Sequence, residues 1–153
     1  MDAGSHRPCS VAATLETVGE RWSLLVVREL FYGVRRFEGI RLATGAPRNM
    51  LAVRLRTLED AGVLERRQYS QRPPRFEYHL TPAGQELVPV LLTLQQWGDR
   101  HLPTAGRMPL RHRHEGHEHR LAARLTCTTC GEEIVADDLS LAVPDPWATP
   151  APA

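Results

Sequence analysis

The chain has 153 residues, 42% of them hydrophobic, and a formal net charge of +1. This length is enough for one compact domain with a hydrophobic core and a small appendage, and it excludes two large domains. The sequence contains no run of about 18 apolar residues and no charged-then-apolar start of the kind found in signal peptides. We therefore expect a cytoplasmic protein that does not span a membrane.

Basic residues are concentrated in the middle of the chain. Residues 21–80 contain twelve Arg and six Asp or Glu, a local balance of +6, whereas residues 131–153 contain five acidic residues and no Arg. Every basic residue is arginine, which suits two-point contacts with phosphates and guanines. The nucleotide composition of the genome is the alternative explanation for this bias, so the positions of the arginines carry more weight than their number.

Three short helices are predicted near the start of the chain. The first covers residues 10–18 with Ser10 as its N-cap, and the second covers residues 20–32. The third covers residues 36–43 and stops at Gly45.

A longer fourth helix follows, with Pro47 in its first turn and its end at residues 61–62. Leucines recur on one face of this helix, which indicates that this face is buried. They are Leu51, Leu55 and Leu58.

The pattern then changes to two strands and a last helix. Residues 63–69 and 75–80 are strand-like and are separated by "SQRPP", whose prolines place it at a hairpin tip. Thr81 caps a long helix with an apolar stripe. The stripe consists of Leu87, Val90, Leu91, Leu94 and Trp97. The predicted fold class is mainly α with a small β-hairpin wing, the winged helix-turn-helix plan.

The outer face of the fourth helix is suited to a DNA major groove. Asn49, Ala52, Val53 and Arg56 lie opposite the leucines on a helical wheel. Arginine can bond guanine and asparagine can bond adenine through two points each, and small apolar side chains can pack on a thymine methyl group. Arg72 and Arg75 flank the prolines of the hairpin tip, where a wing would contact phosphates or the minor groove. The alternative is a solvated basic face with no nucleic-acid partner.

Six short motifs occur in a fixed order between Cys9 and about Leu102. They are a cysteine near the N-terminus, Gly-x-x-Trp at 19–22, Arg-Phe at 36–37, Arg-Leu-x-x-Leu-Glu at 54–59, Glu-Tyr-x-Leu-Thr at 77–81 and Trp-Gly at 97–98. Each motif is weak alone, but the ordered set resembles the HxlR-type family of winged helix-turn-helix bacterial transcriptional regulators.

The resemblance implies a DNA-binding homodimer whose first and last helices form the interface. It places Arg48, Asn49, Ala52, Val53 and Arg56 in the segment that enters the groove of double-stranded DNA, and it makes Arg36 a further candidate contact. Phe37 and the Gly-x-x-Trp motif are expected to serve packing.

Cys9 is a candidate sensor. In some members of the family that the sequence resembles, a cysteine at this place senses oxidants or electrophiles, and a thiol at a dimer-forming helix could displace the recognition helices when it reacts. The alternative is a small buried residue that caps the first helix.

The sequence divides into four regions. Residues 9–102 form the predicted DNA-binding and dimerisation domain, residues 103–124 a His/Arg-rich linker, residues 125–143 a zinc-ribbon-like appendage, and residues 144–153 a disordered tail.

The appendage contains Cys127-x-x-Cys130-Gly131, the knuckle of many zinc sites. His114 and His117 repeat the same spacing, so we predict one structural zinc ion bound by Cys127, Cys130, His114 and His117. The alternatives are a surface His-rich linker with a free cysteine pair, or a redox dithiol.

The leading function is sequence-specific transcriptional regulation by a homodimer that responds to a redox or small-molecule signal. A dithiol oxidoreductase is the rival, but its motif usually begins a helix after a strand, whereas Cys127 lies between two strand-like segments. No phosphate-binding loop, Ser/His/Asp set or carboxylate pair is present, so an enzyme is not expected. A zinc-ribbon module for protein interaction could coexist with regulation.

Overall fold

The computed structural model describes residues 9–102, 106 and 110–140. The chain divides into two compact units between His101 and Leu102. In the first unit, six helices and a two-stranded sheet occur in the order α1 (Ser10–Val18), α2 (Arg21–Phe31), α3 (Phe37–Thr44), α4 (Arg48–Asp60), β1 (Leu64–Gln71), β2 (Pro74–Leu80), α5 (Pro82–Gln85) and α6 (Val88–His101). No helix in the described part of the chain is both long enough and apolar enough to cross a membrane.

The core of the first unit lies between α2, α3, α4 and the start of β1. Its buried side chains include Val26, Val27, Ile40, Leu51 and Leu58, all 0% exposed. The predicted leucine face of the fourth helix is therefore confirmed. Phe37 and Trp22 pack against this core as partly buried side chains, as expected.

Strands β1 and β2 form the predicted wing. They pair antiparallel from Leu64↔Leu80 to Gln71↔Pro74, with an irregularity between Gln68 and Ser70. A single bridge joins Arg36 to Glu77, so the residue before α3 extends the base of the wing. Helical elements followed by a small antiparallel hairpin confirm the winged helix-turn-helix prediction for this unit.

Three local predictions are wrong. The N-cap of α1 is Cys9 rather than Ser10, and Pro47 is the N-cap of α4 rather than a residue of its first turn. The predicted long helix after Thr81 is broken into α5 and α6. Pro89 explains the break, because inside a continuous helix its ring would clash with the carbonyl of the residue four positions earlier. The predicted cap is confirmed: the Thr81 hydroxyl accepts a hydrogen bond from the Gly84 N–H at 3.2 Å.

The second unit contains a hairpin where the sequence suggested a linker. Strands β3 (Arg111–His114) and β4 (His117–Arg120) pair antiparallel around a two-residue turn. Glu115 and Gly116 both have positive φ, 49° and 80°, as a tight hairpin turn of this length requires. A bridge between Thr126 and Glu133 and a 3₁₀ turn at Ala136–Asp138 follow. The predicted tail at 144–153 lies outside the described residues.

Candidate nucleic-acid interface

The helix α4 has two distinct faces. Leu51, Leu55 and Leu58 are at most 2% exposed, whereas Val53 is 49% exposed. The other predicted groove-facing residues are exposed as well. They are Arg48, Asn49, Ala52 and Arg56. The helix therefore presents a mixed polar and apolar surface that the core does not use.

Two of the predicted contact arginines make intramolecular ion pairs. Arg48 bonds the Glu38 carboxylate and lies over the Phe37 ring, with 5.1 Å from its guanidinium carbon to the ring centroid. Hydrogen bonds from Arg41 and then Arg48 lower the pKa of Glu38. These contacts hold α3 against the start of α4. Arg48 is therefore exposed to solvent and also joins these two helices.

Arg36 is held in a similar way at the base of the wing. Its Nε donates to Glu77 Oε1 at 3.0 Å, and its guanidinium lies 4.7 Å from the centroid of the Tyr69 ring. The hydrogen bond to Glu77 is the main cause that raises the pKa of Arg36. Arg36 therefore joins the wing to the start of α3.

The other three predicted contact arginines are exposed and have no carboxylate partner within the part of the chain that the structure describes. Arg56 lies on the outer face of α4, and Arg72 and Arg75 flank the tip of the wing between β1 and β2. Met50 is a further exposed residue of α4, with 37% of its surface accessible, and it was not among the residues predicted for the exposed face. Its position beside Asn49, away from the leucine face, could have shown that it is exposed.

Cys9 lies at the N-terminus of α1. Its side chain is exposed and is not part of a disulfide, and its carbonyl accepts a hydrogen bond from the Ala13 N–H at 3.1 Å. The structure thus places this thiol at a helix start, within reach of solvent.

Cys127 and Cys130 form a tight knuckle in the second unit. The Gly131 N–H donates to the Cys127 carbonyl at 2.8 Å, and Gly131 has a φ of 76°, a left-handed conformation that favours glycine. Backbone N–H groups of Cys130 and Thr129, followed by a side-chain hydrogen bond from Cys130, lower the pKa of the Cys127 thiol from 9.0 to about 7. The turn therefore stabilises negative charge on this sulfur.

The hairpin of the second unit places four histidines on one face. His112 pairs with His119 and His114 pairs with His117 across β3 and β4. Residues directly opposite one another in an antiparallel pair point to the same side, and so do residues two apart on one strand. The rings of His112 and His114 are stacked with centroids 6.0 Å apart. All four histidines are recognisable as possible ligands in the sequence, and the prediction selected His114 and His117 for their spacing.

The predicted zinc ligands are not gathered at one point. Among the described residues no group of three or more His, Cys, Asp or Glu side chains is positioned to hold a metal ion. Cys127 and Cys130 meet in their knuckle, and His114 and His117 meet at the hairpin turn, as two separate pairs. Zinc binding stays a prediction.

Comparison with known proteins identifies the family. Residues 17–105 match the model of the HxlR-like helix-turn-helix family. An uncharacterized HTH-type transcriptional regulator of Mycobacterium tuberculosis is 46% identical over 131 residues, which cover 86% of this chain and 83% of that protein. The regulator YdeP of Bacillus subtilis is 38% identical over 94 residues, covering 61% of this chain and 73% of that protein.

Solved structures give the same result. The crystal structure of PA1607, described as a candidate transcription factor, matches with a TM-score of 0.76 and 30% identity, covering 89% of this chain and 95% of that one. The oxidized form of the redox regulator HypR matches with a TM-score of 0.56 and 34% identity, covering 61% of this chain and 97% of that one. These relatives are regulators rather than enzymes, and the chain belongs to the HxlR-like helix-turn-helix family of transcriptional regulators.

Proposed function

We propose that the protein is a sequence-specific DNA-binding homodimer in which α4 enters the major groove of double-stranded DNA. The observation that carries the proposal is the division of α4 into a fully buried leucine face and an exposed face with Asn49, Val53 and Arg56. Arginine and asparagine are the side chains that read guanine and adenine edges through two hydrogen bonds. Val53 supports this role, because an exposed valine in a helix gains from contact with a thymine methyl group.

The wing supplies the sequence-independent part of the binding. Arg72 and Arg75 lie at its tip, and no carboxylate in the described part of the chain neutralises them. When arginines in this arrangement contact phosphates, counterions condensed on the DNA are released. The affinity for DNA therefore depends on salt concentration. The interface therefore combines base contacts from α4 with backbone contacts from the wing.

The experiment is a binding titration with the DNA upstream of the protein's own gene. Arg56→Ala is expected to cost about 1–3 kcal/mol and to relax specificity, since a base contact is lost. Arg72→Ala should weaken all sequences alike and reduce the salt slope by about 1.

Arg113→Ala is the charge-matched control, because Arg113 is an exposed arginine of the second unit. Identical footprints and affinities for the wild type and Arg56→Ala would exclude α4 as the reading element.

A second copy of the chain is the proposed partner of α6. Val90, Leu94 and Trp97 recur at helical spacing on this helix and are 49%, 53% and 52% exposed, whereas Leu91 packs against the core. On α1, Val11 and Leu15 are 65% and 53% exposed. Exposed apolar stripes on two helices of a small domain are typical of subunit interfaces. Sedimentation should give a dimer at micromolar concentration, and Leu94→Glu should give a monomer.

Cys9 is the proposed site of a redox signal. It is an exposed thiol at the start of α1, next to the apolar positions assigned to the dimer interface. The structural match to the redox regulator HypR supports a redox response. Oxidant should change the DNA affinity of the wild type but not of Cys9→Ser, and an equal response in both would exclude Cys9 as the sensor.

We propose a structural role for zinc in the second unit. A Cys-x-x-Cys turn closed by a glycine in the left-handed conformation, with backbone N–H groups directed at the first sulfur, is the local geometry of many zinc knuckles. Two cross-strand histidine pairs lie in the same unit and offer imidazole ligands. The residues fit the ion in chemical type, and we infer that the pair Cys127 and Cys130 and the pair His114 and His117, which lie apart in the structure, come together to hold it.

A further inference from the structure

A cavity in the first unit has a composition that the DNA-binding role does not explain. It has a volume of ≈ 490 Å³ and is bounded by α2, both strands of the wing and the start of α6. This volume falls in the range of about 300–1,000 Å³ that small-molecule sites occupy. One part of its lining is basic, with Arg35, Arg67 and His79, and another part is apolar, with Leu30, Phe31 and Leu80.

Arg35 is the basic residue of the cavity best placed to bind an anion. Its Nη1 lies 2.8 Å from His79 Nδ1, and no carboxylate of the described residues lies within ion-pair distance of its guanidinium. The guanidinium has five N–H donors in a planar fork, so donors remain for an incoming group. Carboxylates and phosphates are the anions that this fork binds through two parallel hydrogen bonds, and the single charge of a carboxylate matches that of one guanidinium.

His79 and Arg67 complete the basic wall. Desolvation, followed by the charges of Arg35 and Arg67, lowers the pKa of His79 below 6.5. The neutral ring accepts the Arg35 hydrogen bond at Nδ1, so its proton is at Nε2, which lies 3.8 Å from Glu77 Oε2. Arg67 is paired with Glu65, with 2.7 Å between Nε and Oε1. Arg35 is therefore the cation in this wall whose charge a bound anion would balance.

The apolar wall lies beside these groups. Leu30 is 3% exposed and forms part of the core, whereas Phe31 is 43% exposed and leaves much of its ring open to solvent. A ligand that reaches from Arg35 to Phe31 must carry a charged end and an apolar body. We propose that this cavity binds a small monocarboxylic acid with an aromatic or short aliphatic body, its carboxylate at Arg35 and its body against Phe31 and Leu80.

The position of the cavity connects such a ligand to the DNA-binding elements. The Arg35 carbonyl accepts a hydrogen bond from the Tyr78 N–H at 2.8 Å, and the next residue, Arg36, is ion-paired to Glu77. Helix α3 begins immediately afterwards, and Val88 at the start of α6 lines the same cavity. The acid would contact the wing, the entrance to the helix-turn-helix and the helix assigned to dimerisation. Its effect on transcription rests on the proposed function, whereas its binding does not.

Calorimetric titration of the full chain tests the binding. Benzoate, phenylacetate and hexanoate are each compared with the corresponding neutral amide. At least one acid should bind, and its amide should bind about tenfold or more weakly, since a charge-assisted hydrogen bond is lost. Arg35→Gln should lose a similar factor, and Arg75→Gln, which removes an arginine at the wing tip, should bind as the wild type does.

Amide chemical shifts of the wild-type protein provide a readout that does not depend on any variant folding. They should change on titration at Arg35, His79, Leu80 and Val88. The proposal is overturned if none of the three acids binds, if acid and amide bind equally, or if the shifts change elsewhere.

A second experiment measures DNA affinity with and without saturating acid. The acid should change the affinity of the wild type and not that of Arg35→Gln. An acid that binds without changing DNA affinity overturns the effector role and leaves the binding site supported. A protein that binds no DNA overturns the proposed function, while the calorimetry still decides the site.

Discussion

The two units of the chain are held together in different ways. The first contains all eleven buried hydrophobic residues of the described chain, among them Leu51, Leu55 and Leu58. Among residues 110–119 and 121–140 of the second unit no side chain is buried, and Leu125 and Leu139 are 64% and 62% exposed. The first unit is stabilised by apolar surface removed from water. The second has turns and hydrogen bonds but no core of its own among these residues.

This difference shows what each unit needs in order to stay folded. In the second unit the Cys127 N–H donates to the Glu132 carbonyl at 2.8 Å, and the Ile134 N–H donates to the Leu125 carbonyl at 2.9 Å. Each such bond contributes only about 0.5–1.5 kcal/mol net, because water competes for the same groups. The cysteine-containing appendage predicted at residues 125–143 is well below the about 40 residues under which a segment usually needs a metal, a disulfide or a partner to stay folded. The comparison predicts that removal of a metal ligand disrupts the second unit, whereas truncation of a buried side chain destabilises the first.

The largest effect is expected from removal of the metal. Protein purified without added metal should contain about one zinc ion per chain, and Cys130→Ser should lose it, because structural zinc sites need a complete ligand set. The region after residue 111 should then become protease-sensitive, while the first unit stays folded. Atomic absorption and limited proteolysis measure both outcomes. Cys9→Ser, a thiol removed from the other unit, should keep the metal.

A wild type that carries no zinc, with a protease-sensitive second unit, would contradict the metal site and leave Cys127 and Cys130 as a redox dithiol. Paired histidine variants sharpen the test, because the hairpin presents two cross-strand pairs. His114→Asn with His117→Asn should abolish zinc binding. His112→Asn with His119→Asn should preserve it, and the reverse result would reassign the imidazole ligands.

Truncation of the core should affect only the first unit. Leu51→Ala removes a fully buried side chain and should lower the free energy of unfolding by about 2–5 kcal/mol. Val53→Ala is the matched control on the same helix and should change it by no more than about 0.5 kcal/mol. Urea denaturation followed by circular dichroism gives both values, and equal losses would contradict the assigned faces of α4.

Removal of the α5 cap should have a smaller effect on the same unit. The Thr81 hydroxyl accepts from the Gly84 N–H and donates to the Gly62 carbonyl, so it joins α5 to the end of α4. Thr81→Ala should cost about 1 kcal/mol in urea denaturation. Thr81→Ser retains the hydroxyl and should recover most of the loss; a serine variant as unstable as the alanine variant would exclude the hydrogen bonds as the cause.

The smallest effect concerns the pH dependence of the first unit. The pKa of His79 is lowered below 6.5 when the protein folds, chiefly by desolvation and then by Arg35. The unfolded chain therefore binds more protons near this pH, and the contribution of His79 to stability is complete above pH 6.5 and lost as pH falls through the lowered pKa. Histidine proton resonances followed against pH should place His79 below 6.5.

Arg35→Gln should move the His79 resonance towards a higher pKa, and Arg72→Gln at the wing tip should not. An unshifted His79 in the Arg35 variant would mean that burial alone lowers its pKa.

Much of the first unit could be predicted from its sequence, because its hydrophobic spacing and its turn residues agree. Leu51, Leu55 and Leu58 predicted a buried face, and Gly45 predicted the end of α3, where it adopts a φ of 71°. The break before α6 was missed because the apolar stripe continues through it, and the proline at position 89 was the signal. Ion pairs such as Arg36–Glu77 join residues far apart in sequence, so no local pattern predicts them.

The hairpin of the second unit was missed for a different reason. Its strands, Arg-His-Arg-His and His-Glu-His-Arg, contain only polar residues, so no alternation of apolar and polar residues marks them. The two-residue turn Glu115-Gly116 was the available signal, since glycine at this position favours a tight hairpin. The exposed face of α4 was predicted from the helical wheel, because its residues lie opposite the leucines.

The separation of buried and exposed positions along α4 also bears on how such regulators diversify. The exposed positions include 49, 52, 53 and 56, and none of them contributes to the fully buried core. Substitutions on an exposed face usually change stability by less than about 0.5 kcal/mol. Under the proposed function, a duplicated gene could therefore acquire a new operator through successive substitutions without passing through an unfolded intermediate. The same property would make these four positions a compact library for selecting regulators with new target sequences.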